Sequence, residues 1–346
     1  MFPAQSLAEA LLAEGWRVKL ATDARGARYA GGFPAEVERQ VLAAATFARG
    51  GILAKLAAPV RIGLGIVGAT LAMLRDRPAV VIGFGGYPAL PTMAAAWVLR
   101  RPRMIHEQNG VLGRVNAAFA TRVHKVACAV WPTELPARAN AVHTGNPVRA
   151  TVRALAATPL PDTLGPLRLA VFGGSQGATI LSERVPAGLA LLPADLRARL
   201  HVAHQARDAD HALATETYAG AGITAEVQPF FDDLPKRLAA AHLVISRSGA
   251  SSVADIAAIG RPSILVPLAI AIRDEQTANA RGLVDAGAAL LVREPDLTPD
   301  HIAAELTRFL TDPDTLRAMA AAATAQGKPD AVDHLKSEVL KLAGHS

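Results

Sequence analysis

The feature that most constrains the fold is a repeated alternation of short apolar runs with segments of helical length. The apolar runs fall into two series, at 18–21, 79–83, 103–106, 125–129 and 141–144, and then at 168–172, 201–204, 225–228, 243–246, 263–266 and 289–292. Helix-length segments such as 4–14, 90–99, 113–120, 178–191 and 251–259 lie next to or between them. This alternation is typical of parallel sheets with helices on both faces. We therefore predict an α/β protein with two doubly wound domains that face a cleft.

The boundary between the two series is a stretch with three prolines and no strand pattern, residues 151–166. Such a segment is typical of an interdomain linker. It divides the chain into a first domain, 1–150, and a second, 167–325, followed by a terminal segment, 326–346. The chain opens on an amphipathic helix, whereas a doubly wound domain usually opens with a strand and a glycine-rich turn.

Charge is unevenly divided between the two halves. Residues 1–150 hold 18 Lys and Arg against 8 Asp and Glu, a balance of +10, and residues 151–346 hold 18 against 22, a balance of −4, which together make the net +6. Ordinary surface scatter is one interpretation, and an anionic partner of the first half is the other. No basic and aromatic interleaving or helix-turn-helix pattern supports nucleic acid. A pyrophosphate lipid or an anionic membrane face fits better.

Membrane spanning and disulfide bonding are not expected. The most apolar window, 62–74, has 13 residues, whereas a transmembrane helix takes roughly 20. The N-terminus lacks the basic start and apolar core of a signal peptide. The single cysteine, Cys128, lies in an apolar run and is predicted to be a buried thiol.

Two glycine-rich turns follow predicted strands, where ligands bind in open α/β sheets. The first includes Gly85, Gly86 and Tyr87, and the second is Gly173, Gly174, Ser175, Gln176 and Gly177. Backbone N–H groups in such turns can approach phosphates, and a following helix N-terminus adds partial positive charge. Tight packing at a strand–helix corner remains the alternative for each turn.

Polar side chains follow other predicted strands. They are His106, Glu107, Gln108 and Asn109, then Arg149 after an Asn-Pro turn, the segment from Arg247 to Asp255, and Gln276. Asp255 is placed to accept ribose hydroxyls. The alternatives are a first-turn acid favoured by the helix dipole, capping by Asn109, and a surface charge at Arg149. No metal-ligand spacing and no nucleophile elbow occurs, so we predict neither a metal nor a cofactor.

The motifs HEQNG, GNPVR, GGSQGA, RSGA and DEQ-x-x-NA occur in this order, with GFGGYP upstream. Together they resemble the MurG family of peptidoglycan glycosyltransferases, which have the GT-B fold, over essentially the whole chain. The resemblance implies an inverting, metal-independent transfer of N-acetylglucosamine. The donor would be UDP-N-acetylglucosamine, and the acceptor the undecaprenyl-pyrophosphoryl-linked N-acetylmuramoyl-pentapeptide. It also implies a peripheral protein on the cytoplasmic face of the bacterial inner membrane.

The resemblance assigns site residues by position. The second domain would hold the donor, and the implied donor contacts are Asn109, Arg149, Ser175, Phe231, Ala250, Ser251, Ser252, Val253, Ala254, Asp255 and Gln276. Acceptor or phosphate loops would include Gly85, Gly86, Tyr87, His106, Glu107, Gln108, Gly174, Gln176 and Gly177. A helix around 331–342 would return to the first domain. Arg49, Lys55 and Arg61 alternate with Ile52, Leu53, Val60 and Ile62, as in an interfacial membrane segment.

The chain departs from the family at two places. The family opens with a strand and a GGTGGH loop directly before FPAQ, and the histidine of that loop is the favoured base. Here Met1 directly precedes Phe2, Pro3, Ala4 and Gln5, so we expect an upstream start or a truncated protein, with the base histidine in the missing loop. Asp255 stands where the family usually has glutamate, which is one methylene longer.

Three alternatives remain open. A catalytically impaired UDP-sugar-binding protein would agree with the missing loop. Another GT-B enzyme that makes a glycolipid would share most of the pattern. A UDP-sugar 2-epimerase shares the architecture, but it needs an acid–base pair that the sequence does not display, and HEQNG is not its signature.

Overall fold

A computed structural model describes residues 1–43, 52–174 and 178–344, without the side chains of 52–57 and of residue 272. The chain divides into two compact units. The first comprises Met1–Pro147 and Asp330–Ser346, and the second comprises Val148–Pro329. The C-terminal segment therefore belongs to the first unit, and the predicted linker at 151–166 lies within the second.

The first unit alternates helices with short strands. Its strands are β1 (Lys19–Thr22), β2 (Glu38–Val41), β3 (Val81–Gly83), β4 (Arg103–Glu107), β5 (Lys125–Cys128) and β6 (Ala141–His143). Its helices are α1 (Phe2–Ala13), α2 (Ala24–Arg28), α3 (Ile52–Asp76), α4 (Ala89–Val98) and α5 (Arg114–Phe119), and the last helix of the chain, α15 (Ala331–Leu342), joins them. The strands predicted from apolar runs are confirmed within about two residues. The sequence missed β2 because its residues are largely exposed and carry no apolar run.

The strands of the first unit form two parallel sheets. One contains β1 and β2, and the other has the order β3-β4-β5-β6. Among the described residues, no strand pairs with β1 on the side away from β2, or with β3 on the side away from β4.

Helices cover both faces of the four-stranded sheet. On one face, Ala69 and Met73 of α3 share a core with residues of α4 and α5. On the other, Leu7 and Leu11 of α1 pack with α15 against Met104 and Ala127 of the sheet. Ion pairs add to this second contact, because Lys125 binds Glu338 and Lys336 binds Glu14.

Helix α3 is longer than the apolar window at 62–74 suggested. By length and composition alone, one helix among the described residues, Ala58–Asp76, is long and apolar enough to cross a membrane. The prediction that this stretch is too short to span is therefore wrong on length. Ala58, Ala69 and Met73 are buried, and α3 packs against α4, so one face of the helix belongs to the core of the first unit.

The second unit is built on one parallel sheet. Its strands are β7 (Leu167–Phe172), β8 (Leu200–Gln205), β9 (Thr224–Gln228), β10 (Leu243–Ser246), β11 (Ser263–Leu265) and β12 (Ala289–Leu291). Its helices are α6 (Ala150–Arg153), α7 (Thr179–Ala190), α8 (Ala194–Arg199), α9 (Asp208–Gly220), α10 (Leu234–Ala240), α11 (Ala250–Ile259), α12 (Glu275–Asp285), α13 (Pro299–Leu310) and α14 (Pro313–Gln326). The strand order is β12-β11-β10-β7-β8-β9. The order reverses between β7 and β10, and such a switch point is where ligands bind in doubly wound sheets.

A buried arginine fastens the predicted linker to the second unit. The guanidinium of Arg261 donates to the carbonyls of Thr158 (2.9 Å) and Pro159 (3.1 Å). It also donates to the carbonyls of Leu238 (3.1 Å) and Ala239 (2.6 Å). Burial lowers the pKa of Arg261 to about 10, which leaves it charged at neutral pH. Residues 158–159 are therefore held in place rather than forming part of a free linker.

Candidate substrate-binding sites

In the first unit, Glu107 organises the loop that follows β4. Its buried carboxylate accepts hydrogen bonds from the backbone N–H of Asn109 (3.1 Å) and Gly113 (2.8 Å) and from Nδ2 of Asn116 (2.9 Å). A buried carboxylate needs such donors, because its desolvation is otherwise costly. Glu107 therefore acts as the scaffold of the HEQNG loop and of the start of α5.

Next to Glu107, three buried polar side chains have unused hydrogen-bonding atoms. Nδ1 of His106, Oδ1 of Asn116 and Oδ1 of Asn146 have no hydrogen-bond partner among the described residues. His106 Nε2 lies 3.5 Å from the carbonyl oxygen of Gly145, and Asn116 Nδ2 donates to the carbonyl of His106 (3.2 Å). Burial lowers the pKa of His106 to about 4, so the ring is neutral at pH 7. Because buried polar atoms are nearly always paired, this cluster indicates a place for a polar ligand or water.

The first glycine turn packs against the same cluster. Gly85 and Gly86 have positive φ angles of 77° and 72°, in the left-handed region that favours glycine. A Cβ on Gly85 would lie 3.1 Å from Asn116 Nδ2, and the Phe84 ring is 5.4 Å from the His106 ring. The structure thus brings the predicted Gly85, His106 and Glu107 together at the carboxyl edge of one sheet. Tyr87 packs partly into the core, and Gln108 is half-buried in the loop after β4.

In the second unit, β7 and β10 are neighbouring parallel strands, so Gly173 and Gly174 after β7 and the start of α11 after β10 lie at the same carboxyl edge of the sheet. Gly174 has a φ of 77°, and a side chain at this position would meet no heavy atom of the described residues, apart from its chain neighbours, within 4 Å of its Cβ. Helix α7 begins at Thr179, so its N-terminus follows this turn. The predicted contacts Ser175, Gln176 and Gly177 lie outside the described residues.

The predicted segment from Ala250 to Asp255 forms the first turns of α11. Ser251 is exposed, Ser252 and Ala254 are half-buried, and the Val253 side chain points into the core. Desolvation raises the pKa of Asp255 to about 6, although the charge of Arg149 acts in the opposite direction. Arg149 caps α6 and is exposed. The Asp255 carboxylate is thus partly buried and interacts with the charge of Arg149, and perturbed groups of this kind often mark functional sites.

Arg247 and Asn279 lie in segments that the sequence singled out, but the contacts by which they support this site were not predicted. Arg247 is buried and binds Glu294 (2.6 Å) and the carbonyls of Val266 (3.2 Å) and Pro267 (3.1 Å), so it holds the loop after β11. Asn279 Nδ2 donates to the carbonyl of Ser248 (3.1 Å) and ties α12 to the turn after β10. The polar character of RSGA and DEQ-x-x-NA pointed to these segments, but long-range partners such as Glu294 leave no local signal.

Gln276 and Phe231 have roles that differ from a simple ligand contact. Oε1 of Gln276 accepts a hydrogen bond from the N–H of Leu268 (3.0 Å), so this side chain helps to close the loop after β11. The Phe231 ring is buried and stacks under Arg237, whose guanidinium lies 4.1 Å from the ring centroid. The exposed ring at this turn is that of Phe230. The donor contacts of Gln276 and Phe231 stay predictions, and the buried Phe231 ring packs within the second unit.

Among the residues that the structure describes, no group of three or more His, Cys, Asp or Glu side chains could hold a metal ion. Burial raises the pKa of Cys128 to about 11, and this thiol lies in the core of the first unit.

Comparison with known proteins identifies the family. The model of the glycosyltransferase family 28 N-terminal domain matches residues 1–128, and that of the C-terminal domain matches residues 168–335. A protein of Methylorubrum populi named UDP-N-acetylglucosamine--N-acetylmuramyl-(pentapeptide) pyrophosphoryl-undecaprenol N-acetylglucosamine transferase is 49% identical over 99% of this chain and 94% of its own length. The chain belongs to the MurG group of glycosyltransferase family 28. A Caulobacter vibrioides MurG relative of the same name is also 49% identical, over 99% of this chain and 96% of its own.

Solved structures agree with this family. The crystal structure of Acinetobacter baumannii MurG matches with a TM-score of 0.83 and 31% identity, over 98% of this chain and 95% of that one. The predicted GT-B fold with two Rossmann-like domains is confirmed. A putative UDP-N-acetylglucosamine 2-epimerase of Listeria monocytogenes shares the fold alone, with a TM-score of 0.64 and 13% identity over 98% and 93% of the two chains.

Proposed function

We propose that the chain transfers N-acetylglucosamine from UDP-N-acetylglucosamine to N-acetylmuramoyl-(pentapeptide) pyrophosphoryl-undecaprenol. The observation that carries this proposal is the 49% identity, over 99% of the chain, to relatives that bear the name of this transferase. The MurG family motifs and the geometry of each unit support it.

The second unit is proposed to bind the donor. The Gly174 turn and the N-terminus of α7 offer backbone N–H groups and a helix dipole to the pyrophosphate. The Asp255 carboxylate is proposed to accept the ribose hydroxyls, with Arg149, Gln276 and the start of α11 lining the same site. As the bond to UDP breaks, negative charge develops on the diphosphate, and preoriented N–H groups stabilise it without reorganisation.

The first unit is proposed to bind the acceptor. Asn116 lies beside Gly85, and the unused atoms of His106, Asn116 and Asn146 are proposed to meet sugar and diphosphate oxygens. Inversion is a single in-line displacement, in which a base removes the proton of the attacking hydroxyl. With a pKa of about 4, His106 is a weak base at neutral pH.

Peripheral binding to an anionic membrane is proposed through helix α3. Val60, Leu64, Val67, Leu71 and Leu74 are each more than half exposed and recur every three or four residues, which places them on one face of the helix. The opposite face is packed in the core, so the helix fits an orientation in the membrane plane.

Further apolar residues are exposed on α4, which packs against α3. Trp97 and Val98 at the end of α4 are exposed, and the Arg122 guanidinium lies 5.9 Å from the Trp97 ring. Tryptophan and arginine together are common at membrane interfaces with anionic lipid. The excess of basic residues in the first 150 positions supports the same partner.

Transfer of radiolabelled N-acetylglucosamine to the lipid-linked muramoyl-pentapeptide tests the activity. We expect transfer with UDP-N-acetylglucosamine, none with GDP-mannose, and the same rate with and without EDTA. Donor binding without transfer would favour the catalytically impaired binder. Transfer to a different lipid alone would favour another GT-B enzyme.

Vesicle flotation tests the membrane surface. We expect the protein to float with anionic vesicles and to be released from them by salt and by alkaline carbonate. The double variant Leu64→Glu with Val67→Glu should no longer float with these vesicles. Val41→Glu is the matched control, since Val41 is equally exposed on β2. Retention in the membrane after carbonate extraction would instead indicate a spanning helix.

A further inference from the structure

A half-exposed tryptophan lies at the carboxyl edge of the first unit's larger sheet. Trp131 follows the end of β5 by three residues, and 46% of its surface is exposed. Its ring stacks on that of His143, the last residue of β6, with centroids 5.8 Å apart and planes 20° from parallel. One face of the indole is therefore supported by the protein while much of its surface remains open.

Backbone contacts fix this tryptophan beside the HEQNG loop. The N–H of Ala129 donates to the carbonyl of Glu107 (2.8 Å), and Val111 forms an isolated parallel bridge with Glu134. Thr133 Oγ1 donates to the carbonyl of Val130 (2.6 Å), which tightens the turn that carries Trp131. Trp131 therefore lies on a segment that is fixed by hydrogen bonds rather than on an unconstrained loop.

The stacked pair is continuous with the cluster of unused polar atoms. His143 is followed by Thr144, Gly145 and Asn146, and the Gly145 carbonyl lies 3.5 Å from His106 Nε2. A half-exposed indole at the same sheet edge as buried hydrogen-bonding atoms suits a pyranose, since the sugar ring presents a face of C–H groups and a rim of hydroxyl and amide groups.

We propose that Trp131, supported by His143, is a stacking surface for the muramoyl ring of the acceptor and a determinant of acceptor affinity. This inference rests on the proposed function. The proposed contact is with the saccharide ring of the acceptor, and not with its prenyl chain or with the donor.

Steady-state kinetics with a water-soluble acceptor that carries a short prenyl chain test this role. Trp131→Ala is expected to raise the acceptor KM about three- to ten-fold, the range that one aromatic contact accounts for. The donor KM should stay within two-fold, and Trp131→Phe should restore most of the affinity. Tyr29→Ala is the matched control, because Tyr29 is an exposed aromatic residue elsewhere in the first unit. An unchanged acceptor KM in Trp131→Ala would overturn the proposal.

Two further results separate this proposal from its alternatives. If Trp131→Ala weakened turnover of vesicle-bound acceptor but not of the soluble one, the ring would contact membrane and the proposal would be wrong. If the wild-type protein transferred nothing, the proposed function would fail. Tryptophan fluorescence would still test whether Trp131 contacts the muramoyl ring. The chain has three tryptophans, and titration with the muramoyl-pentapeptide should change the emission of the wild type and not that of Trp131→Phe. Equal changes in both proteins would overturn the stacking role.

Discussion

Replacing Asp255 by asparagine is expected to stabilise the unliganded protein while weakening donor binding. Asp255 lies in the second turn of α11, where desolvation raises the pKa of its carboxyl to about 6 from an ordinary value of 3.8. A raised carboxyl pKa means that the folded state disfavours the ionised form. Asparagine has nearly the same shape and carries no charge, so the variant avoids that cost.

The size and pH range of the effect follow from linkage. The rise of the Asp255 pKa from 3.8 to about 6 corresponds to a loss of at most ~3 kcal/mol in the free energy of unfolding. Below pH 3.8 the carboxyl is protonated in both the folded and unfolded states, so wild type and Asp255→Asn should be equally stable. Between pH 4 and 6 the folded state retains a proton that the unfolded state has lost, and the wild type loses stability relative to the variant. Above pH 6.5 the difference should be constant.

Urea unfolding of the full chain at a series of pH values measures this difference, and calorimetry with UDP-N-acetylglucosamine measures the loss of donor affinity. Asp210→Asn is the matched control, because it should change the free energy of unfolding in the opposite direction. The Arg207 side chain, whose Nε lies 2.9 Å from Asp210 Oδ2, holds the pKa of Asp210 below its usual value. That variant should lose stability at pH 7, and the loss should disappear as the pH falls through the lowered pKa. A destabilised Asp255→Asn at pH 8, or a difference that does not vary with pH, would refute the argument.

Three further outcomes are expected. Arg261→Met should lower the free energy of unfolding by about 3 kcal/mol or more, since several buried carbonyls lose a charged donor. In the same urea titrations, Arg261→Lys should recover part of this lost stability. Glu107→Ala should lose about 1–3 kcal/mol and reduce turnover, because the N–H groups of Asn109 and Gly113 lose their acceptor, and unchanged turnover would contradict its scaffold role. Cys128 should react with a thiol reagent at pH 8 far more slowly in the native protein than in urea, because burial raises the pKa of its thiol to about 11.

The elements of the fold were largely readable from the sequence. Apolar runs bounded by turn residues located eleven of the described strands within about two residues, because most strands of a parallel sheet are covered on both faces and are rich in apolar residues. The exception, β2, is polar and exposed. The family, the fold class and the transferase type were likewise readable, because motifs such as HEQNG and GGSQGA depend on neighbouring residues of the chain.

The chain's local pattern determined where helices, strands and polar turns lie, since burial along one element leaves its period in the sequence. Only the tertiary structure decided which polar residues support the sites and which remain open to a ligand. Arg261 reaches carbonyls about a hundred positions away, Arg247 pairs with Glu294, and the Phe231 ring is taken into the core beneath Arg237. The partners in such contacts are chosen by packing between distant segments, and no single segment carries a record of them.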